Sequence, residues 1–245
     1  MDDFILKLES PTMPHGIVNP PDLRRKKSRE AIRRKKDIAI EANIYTGVSM
    51  TGPLDIPVIK EYKVEIPERM LPYGAWNSTR DLDAAVCFYT HEYRYGLLKT
   101  NCEKVIEKIK KAPCVVFPDF SQTNDMPYWE RFHNSCLNKA LGAKFQQAGI
   151  NVVANVTWSL PDSYGYCFIG IPRHCVIAIN SMGANVSGTT RYLWRQGYEK
   201  ALEVLEPTFI LRYGPMMPGE RTDISKYYGN PFIEGMRHGS KRKLR

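Results

Sequence analysis

From residue 84 onward, short runs of consecutive apolar residues alternate with longer stretches in which apolar residues recur every three or four positions. The short runs occupy 84–89, 114–120, 151–158, 175–180 and 208–213. They are continuous rather than alternating, the pattern of strands covered on both faces, as in a parallel sheet. The stretches between them predict helices. Residues 101–111 start at a polar cap and stop before Pro113. Residues 126–148 follow Asp125, carry Pro127 in the first turn and end before Gly149, as helix ends commonly do. Within them Trp129, Phe132, Cys136, Leu137, Ala140, Leu141, Phe145 and Ala148 repeat at helical spacing. Residues 190–205 start at a Thr cap and stop before Pro207. The link from 159 to 174, with Gly165, Gly170 and Pro172, predicts a loop with one short helical turn.

This alternation predicts an α/β fold, a mostly parallel sheet of about five strands in a three-layer βα sandwich joined by right-handed crossovers. A partial βα barrel is the alternative built from the same units. The beginning of the chain reads differently. Pro11, Pro14, Gly16, Pro20 and Pro21 form a linker composition. Residues 47–74 are again broken by Gly and Pro, with room for a short strand around 58–64. The expected division is a flexible, irregular N-terminal arm over 1–50, a single α/β domain over 51–236 and a basic tail over 237–245.

Charge changes this picture more than overall composition does. The chain of 245 residues carries a net +9. Residues 21–36 hold Arg24, Arg25, Lys26, Lys27, Arg29, Arg33, Arg34, Lys35 and Lys36 against Asp22 and Glu30, a net +7. Residues 237–245 add Arg237, Lys241, Arg242, Lys243 and Arg245 with no acid, a net +5. The rest of the chain therefore sums to −3. Like charges this dense disfavour a stable free helix. On a mildly acidic body they suit contact with a phosphate backbone. An anionic membrane fits less well, because no apolar anchor accompanies them.

No stretch approaches the roughly 20 apolar residues that span a bilayer, and the first nine residues lack a secretory pattern. Cys87, Cys102, Cys114, Cys136, Cys167 and Cys175 are scattered and form no CxxC pair. They read as reduced, buried thiols. The expected setting is the cytoplasm of a bacterial host cell.

Ligands of parallel βα folds bind at the carboxyl ends of the strands, and here those ends are polar. They read Pro118-Asp119-Phe120-Ser121 followed by Thr123 and Asp125, Asn155-Val156-Thr157-Trp158-Ser159, Asn180-Ser181-Met182-Gly183 and Arg212-Tyr213-Gly214. Asp119 and Asp125 are the catalytic candidates, as an acid and base or as holders of a divalent metal, the one cofactor the sequence suggests. Their alternative role is to cap the following helix. Ser121, Asn134, Thr157, Trp158, Ser181, Gly183 and Tyr213 are the ligand-binding candidates. Trp76, Tyr89, Tyr93 and Tyr95 could stack bases or belong to the core. His133, Cys136, Cys167, His174 and Cys175 match no zinc spacing. Neither GxxxxGK[ST] nor GxGxxG occurs, and Ser181-Met182-Gly183 is not a nucleophile elbow.

The segment from Trp76 to Gly214 resembles an uncharacterised family of bacteria and their phages, catalogued as domain of unknown function 4417. The resemblance lies in Trp76-Asn77, Val86-Cys87-Phe88-Tyr89, Pro118-Asp119-Phe120-Ser121 with Asp125-Met126-Pro127, and Asn134 with Leu141-Gly142. It continues in Val156-Thr157-Trp158-Ser159, Phe168-Ile169-Gly170-Ile171-Pro172 and Tyr213-Gly214. It implies a prokaryotic or phage setting, often on mobile genetic elements, and supports a role for 118–127 beyond a helix cap. No activity comes with it.

Three readings follow. The leading one is a nucleic-acid-associated protein of a phage or mobile genetic element, its basic ends gripping the backbone. The second is a metal-dependent enzyme acting on a phosphate-containing substrate at the strand-end rim. The third is a structural or interaction protein of a particle. The sequence leaves DNA against RNA, catalysis and oligomeric state open.

Overall fold

The computed structural model describes residues 43–184 and 186–229. A small antiparallel hairpin, β1 (Met50–Thr51) and β2 (Ile56–Pro57), precedes the main sheet. The sheet itself comprises β3 (Met70–Pro72), β4 (Ala85–Cys87), β5 (Val115–Val116), β6 (Val152–Asn155), β7 (Val176–Asn180), β8 (Phe209–Tyr213) and β9 (Ser225–Tyr228). These seven strands lie in sequential order and every neighbouring pair is parallel. The connections contain α1 (Tyr73–Thr79), α2 (Leu97–Thr100), α3 (Cys102–Ile109), α4 (Tyr128–Gln147), α5 (Tyr164–Cys167) and α6 (Gly188–Leu205).

The strand order has a direct consequence for the layers. A sheet that never reverses its winding keeps its right-handed crossovers on one side. The two faces of the sheet bear this out. Val86, Val115, Val152, Ile177 and Ile210 pack in one cluster with Leu137, Leu141, Phe145, Tyr198 and Ala201 of α4 and α6. Ala85, Cys87, Val116, Val153, Ala178, Leu211 and Tyr228 form a second cluster that, among the described residues, contains no helix residue. The helix-free face curls toward closure. Tyr228 donates from its hydroxyl to the Pro67 carbonyl at 2.7 Å, and Lys226 meets Glu68 at 2.9 Å, bringing β9 beside the approach to β3. The α/β class and the parallel sheet are as expected. Of the two architectures the order is that of the partial βα barrel, with two strands more than the five foreseen. β3 and β9 escaped notice because neither lies in a long apolar run: β3 follows Glu68-Arg69, and β9 itself reads Ser225-Lys226-Tyr227-Tyr228.

Local chemistry explains the main helices. Asn101 caps α3 by accepting from the Lys104 amide at 3.2 Å. Ser187 and Thr190 form a reciprocal capping box on α6, so the cap lies at Ser187 rather than at Thr190. α4 starts from Pro127 without a side-chain cap, and Gly149 with φ +77° follows its end. Gly142 sits where α4 crosses β5. A Cβ there would lie 2.4 Å from the Phe117 ring, so only glycine lets the helix approach this closely. Burying a ring such as Phe117 contributes about 1.5–3 kcal/mol.

The packed body begins earlier than the arm boundary expected at residue 50. Ile44 and Val48 are buried in the helix-side cluster, and Lys144 and Gln147 of α4 donate to the Thr46 and Gly47 carbonyls. Residues 58–64 form no strand. Instead the Tyr62 hydroxyl accepts from the Ala154 amide at 2.9 Å and donates to the Val176 carbonyl at 2.6 Å, bridging β6 and β7. All six cysteines are buried and unpaired. Among the described residues no helix is long and apolar enough to cross a membrane. The basic run 24–36 and the tail 237–245 lie outside the described residues.

Candidate functional site at the carboxyl mouth of the sheet

A cleft of about 340 Å³ opens beyond the carboxyl ends of β5, β6 and β7. Its floor is Asp119, three residues beyond the end of β5. Asn155, the last residue of β6, donates from its side-chain amide to one carboxylate oxygen at 2.9 Å. Asn180, the last residue of β7, donates to the other at 3.3 Å. Both amides are oriented by further bonds. The Tyr89 hydroxyl donates to the Asn155 carbonyl oxygen at 2.9 Å, and the Met182 amide donates to that of Asn180 at 2.8 Å. Each asparagine therefore has only N–H to offer the carboxylate. Burial holds the Asp119 carboxyl above the usual carboxylate range, against the two amide bonds that pull it down, and Glu92 adds a smaller upward push.

The loop after Asp119 is held in place by α4. Asn138 accepts from the Phe120 amide at 2.9 Å and donates to the Phe120 carbonyl at 3.2 Å. One turn earlier, Asn134 donates to the Ser121 carbonyl at 2.7 Å. Glu92, following β4, accepts from the Ser121 amide at 2.7 Å, and Tyr95 donates from its hydroxyl to the Asp119 carbonyl at 2.8 Å. This bonding uses amides and a buried ring to fix a polar loop that has no strand neighbours of its own.

The walls combine hydroxyls with indoles. Gln122 donates to Thr157 Oγ1 at 2.9 Å, and Ser159 donates to Asn124 at 2.9 Å. Trp158 and Trp194 meet with ring centroids 5.8 Å apart, tilted by 48°. Trp158 lies flat against α6 because residue 197 is glycine; a Cβ there would lie 2.1 Å from the indole. Trp194 is anchored by donation to the Asn180 carbonyl at 3.3 Å and by the Arg212 guanidinium 5.1 Å from its ring centre. Among the described residues lining the cleft there is no Lys, Arg or His.

Behind the cleft lies a buried polar chain. Gln122 accepts from the Cys167 thiol at 3.3 Å. Cys167 interacts with Lys139, whose ammonium donates to Ser135 Oγ at 3.0 Å and to the Tyr166 carbonyl at 2.7 Å. Burial pulls the Lys139 ammonium down to about 8. Nearby, Arg131 and Asp162 pair through two bonds of 2.9 Å.

Of the residues singled out from the sequence, Asp119, Ser121, Thr157, Trp158 and Gly183 line the cleft together. Asn134 supports its loop and does not line it. Asp125 is exposed and outside the lining; its carboxyl is held below the usual range by the Thr123 hydroxyl. Neither aspartate caps α4, so the capping role is absent for both. Ser181 is buried and donates to the Pro215 carbonyl at 2.5 Å, closing the turn after β8. Tyr213 points to the helix-free face, 5.0 Å from the Tyr89 ring. Arg212, expected at the rim, faces the helices instead, because the strand alternates sides. There it pairs with Glu220, both side chains fully enclosed. Trp76, Tyr89 and Tyr95 belong to the core, while Tyr93 is exposed.

The paired use of Asp119 and Asp125 does not fit this arrangement. A divalent metal at Asp119 does not fit either, since both neighbouring asparagines present N–H rather than oxygen. No group of three or more His, Cys, Asp or Glu suited to a metal comes together among the described residues. Asn155 and Asn180 stood among the polar strand ends without being singled out, and Asn138 was not noticed. The signal for the first two is an amide closing an otherwise apolar buried strand; Gln122 and Trp194 carry no such mark.

The fold and cleft define a parallel βα partial-barrel protein with a ligand-sized cleft at its carboxyl mouth. Residues 48–229 match the family described as domain of unknown function (DUF4417), and the chain belongs to that family. It is 30% identical over 157 residues to the Gene 1 protein of Mycobacterium phage L5, covering 62% of this chain and 69% of that protein. It is 31% identical over 147 residues to the Gene 1 protein of Mycobacterium phage D29, covering 58% of this chain. The match spans about half of the D29 protein, 54% of its length. No solved structure matches the chain.

Proposed function

We propose that this is a nucleic-acid-associated protein of a phage or mobile genetic element, acting in the host cytoplasm, whose cationic ends hold the phosphate backbone. The observation that carries the reading is the segregation of charge. The two ends hold a net +12 while the rest of the chain sums to −3. Affinity for a polyanion scales with the phosphates neutralised, and each released counterion steepens the salt dependence. Such a division separates a sequence-independent grip from whatever the folded body recognises. The phage relatives are consistent with this setting.

The test is removal of residues 1–36, which keeps every described residue. Ten Lys and Arg are lost, nine of them within 24–36. If half of them contact phosphate, the slope of log affinity against log salt should flatten by about four. Unchanged affinity and slope in the folded, truncated protein would overturn the reading.

A second reading, an enzyme working in the cleft, has one observation in its favour: Asp119, a carboxyl held above its usual range by burial, lies on the floor of an open cleft. A carboxyl raised by burial in an open cleft is a candidate for proton transfer. A phosphate-containing substrate seated inside is less well supported, because no cation among the described lining residues would meet it.

A further inference from the structure

We propose that the cleft seats one unpaired, amino-bearing nucleobase of a single-stranded nucleic acid, with adjacent bases stacked on the exposed aromatic residues around it. This rests on the nucleic-acid reading above and assigns the folded body its share of that contact.

The argument starts from what Asp119 can accept. An ionised carboxylate has about four acceptor positions, and the two asparagine amides take one on each oxygen. The remaining positions face the cleft, which Asp119 lines. Because Asn155 and Asn180 are locked by the Tyr89 hydroxyl and the Met182 amide, the floor is a fixed acceptor that asks for an N–H donor. Cytosine, adenine and guanine carry an exocyclic amine. Thymine carries a carbonyl oxygen in place of that amine, and its one ring N–H is flanked by two carbonyl oxygens that would meet the carboxylate. The Trp158 indole supplies a flat apolar wall, and a cleft of about 340 Å³ is within the range of small-ligand sites. The absence of cations among the described lining residues suits an uncharged ring whose phosphates stay outside.

The surroundings extend the case from one base to a strand. Large exposed apolar side chains concentrate on the segments that follow strand ends. Tyr93 after β4 is 75% exposed, Trp129 after β5 is 68% exposed and Tyr192 after β7 is 62% exposed. Met182 and Met216 follow β7 and β8 and are also exposed. Isolated exposed apolar residues need no explanation, but these stand on segments that leave the carboxyl ends of the strands, the end at which the cleft opens, and Met182 lines it. Base–aromatic stacking is tolerant of sequence and needs bases freed from a duplex. A base held in a duplex could not enter the cleft to reach Asp119 without leaving its stack.

The test measures anisotropy of labelled oligo-dC, oligo-dT and a duplex, each of about 12 nucleotides, with the full chain at fixed salt. Oligo-dC should bind at least tenfold more tightly than oligo-dT and than the duplex. Asp119→Ala and the size-matched Asp119→Asn should bring oligo-dC close to oligo-dT while oligo-dT binding persists. Trp129→Ala, a change at an exposed position, should weaken both single strands roughly tenfold and leave the duplex unchanged. Equal binding of all three probes, with a salt slope that still depends on residues 1–36, would overturn the base site and leave the nucleic-acid reading standing. Binding of no probe overturns both. Free cytidine binding as tightly as oligo-dC would assign the cleft to a free nucleoside and overturn the single-strand proposal.

Discussion

Replacing Lys139 by Met should change how stability depends on pH, and the size of the change follows from the structure. Lys139 is buried in the middle of α4, with its ammonium bonded to Ser135 Oγ and the Tyr166 carbonyl. Neither partner is charged, so burial dominates and the ammonium falls from 10.5 to about 8. The unfolded chain therefore binds more protons than the folded one between about pH 8 and 10.5, and stability contributed at this site rises with pH in that window. A shift of this size corresponds to about 3 kcal/mol. Most of it, about 2.5 kcal/mol, should be recovered between pH 7 and pH 10. Thiols such as Cys167, raised to about 11 by burial, oppose the trend above pH 9; Lys139 pulls the Cys167 thiol down, so losing the ammonium makes that opposition larger in Lys139→Met and moves the difference further in favour of the parent. The quantity to measure is the difference in unfolding free energy between parent and Lys139→Met, by urea denaturation at several pH values. It should move in favour of the parent by about 2.5 kcal/mol from pH 7 to pH 10. A difference that stays flat would show that Lys139 is not charged and enclosed as described.

Further outcomes follow from close contacts and buried pairs. Gly197→Ala puts a methyl where Trp158 lies 2.1 Å away; unfolding should be easier by about 1–3 kcal/mol, with altered tryptophan fluorescence, and an unaltered spectrum would argue against the close packing. Glu220→Ala leaves the enclosed Arg212 without its carboxylate and should lower stability by about 3–5 kcal/mol in thermal or urea unfolding. A loss below 1 kcal/mol would mean that water reaches the guanidinium.

The apolar runs and helical periods of this chain determine most of its elements by themselves. A run such as 175–180 can be buried on both faces only within a sheet, and α4 carries its apolar positions at a spacing no strand could use. Of the nine catalytic and ligand-binding candidates, Asp119, Ser121, Thr157, Trp158 and Gly183 line one cleft, whereas Asp125, Asn134, Ser181 and Tyr213 do not. Tertiary structure decided the rest. Strand order depends on contacts between distant segments, such as Tyr228 with Pro67, which no local pattern encodes. A one-residue alternation along β8 sends Arg212 to the helices and Tyr213 to the opposite face, although both stand at the same strand end. The role of Asp119 arises only when Asn155 and Asn180 arrive from two other strands and surrender their N–H groups to it. Its environment, and hence its chemistry, is a property of three strand ends meeting, whereas the apolar period of a strand or helix is already present in a few consecutive residues.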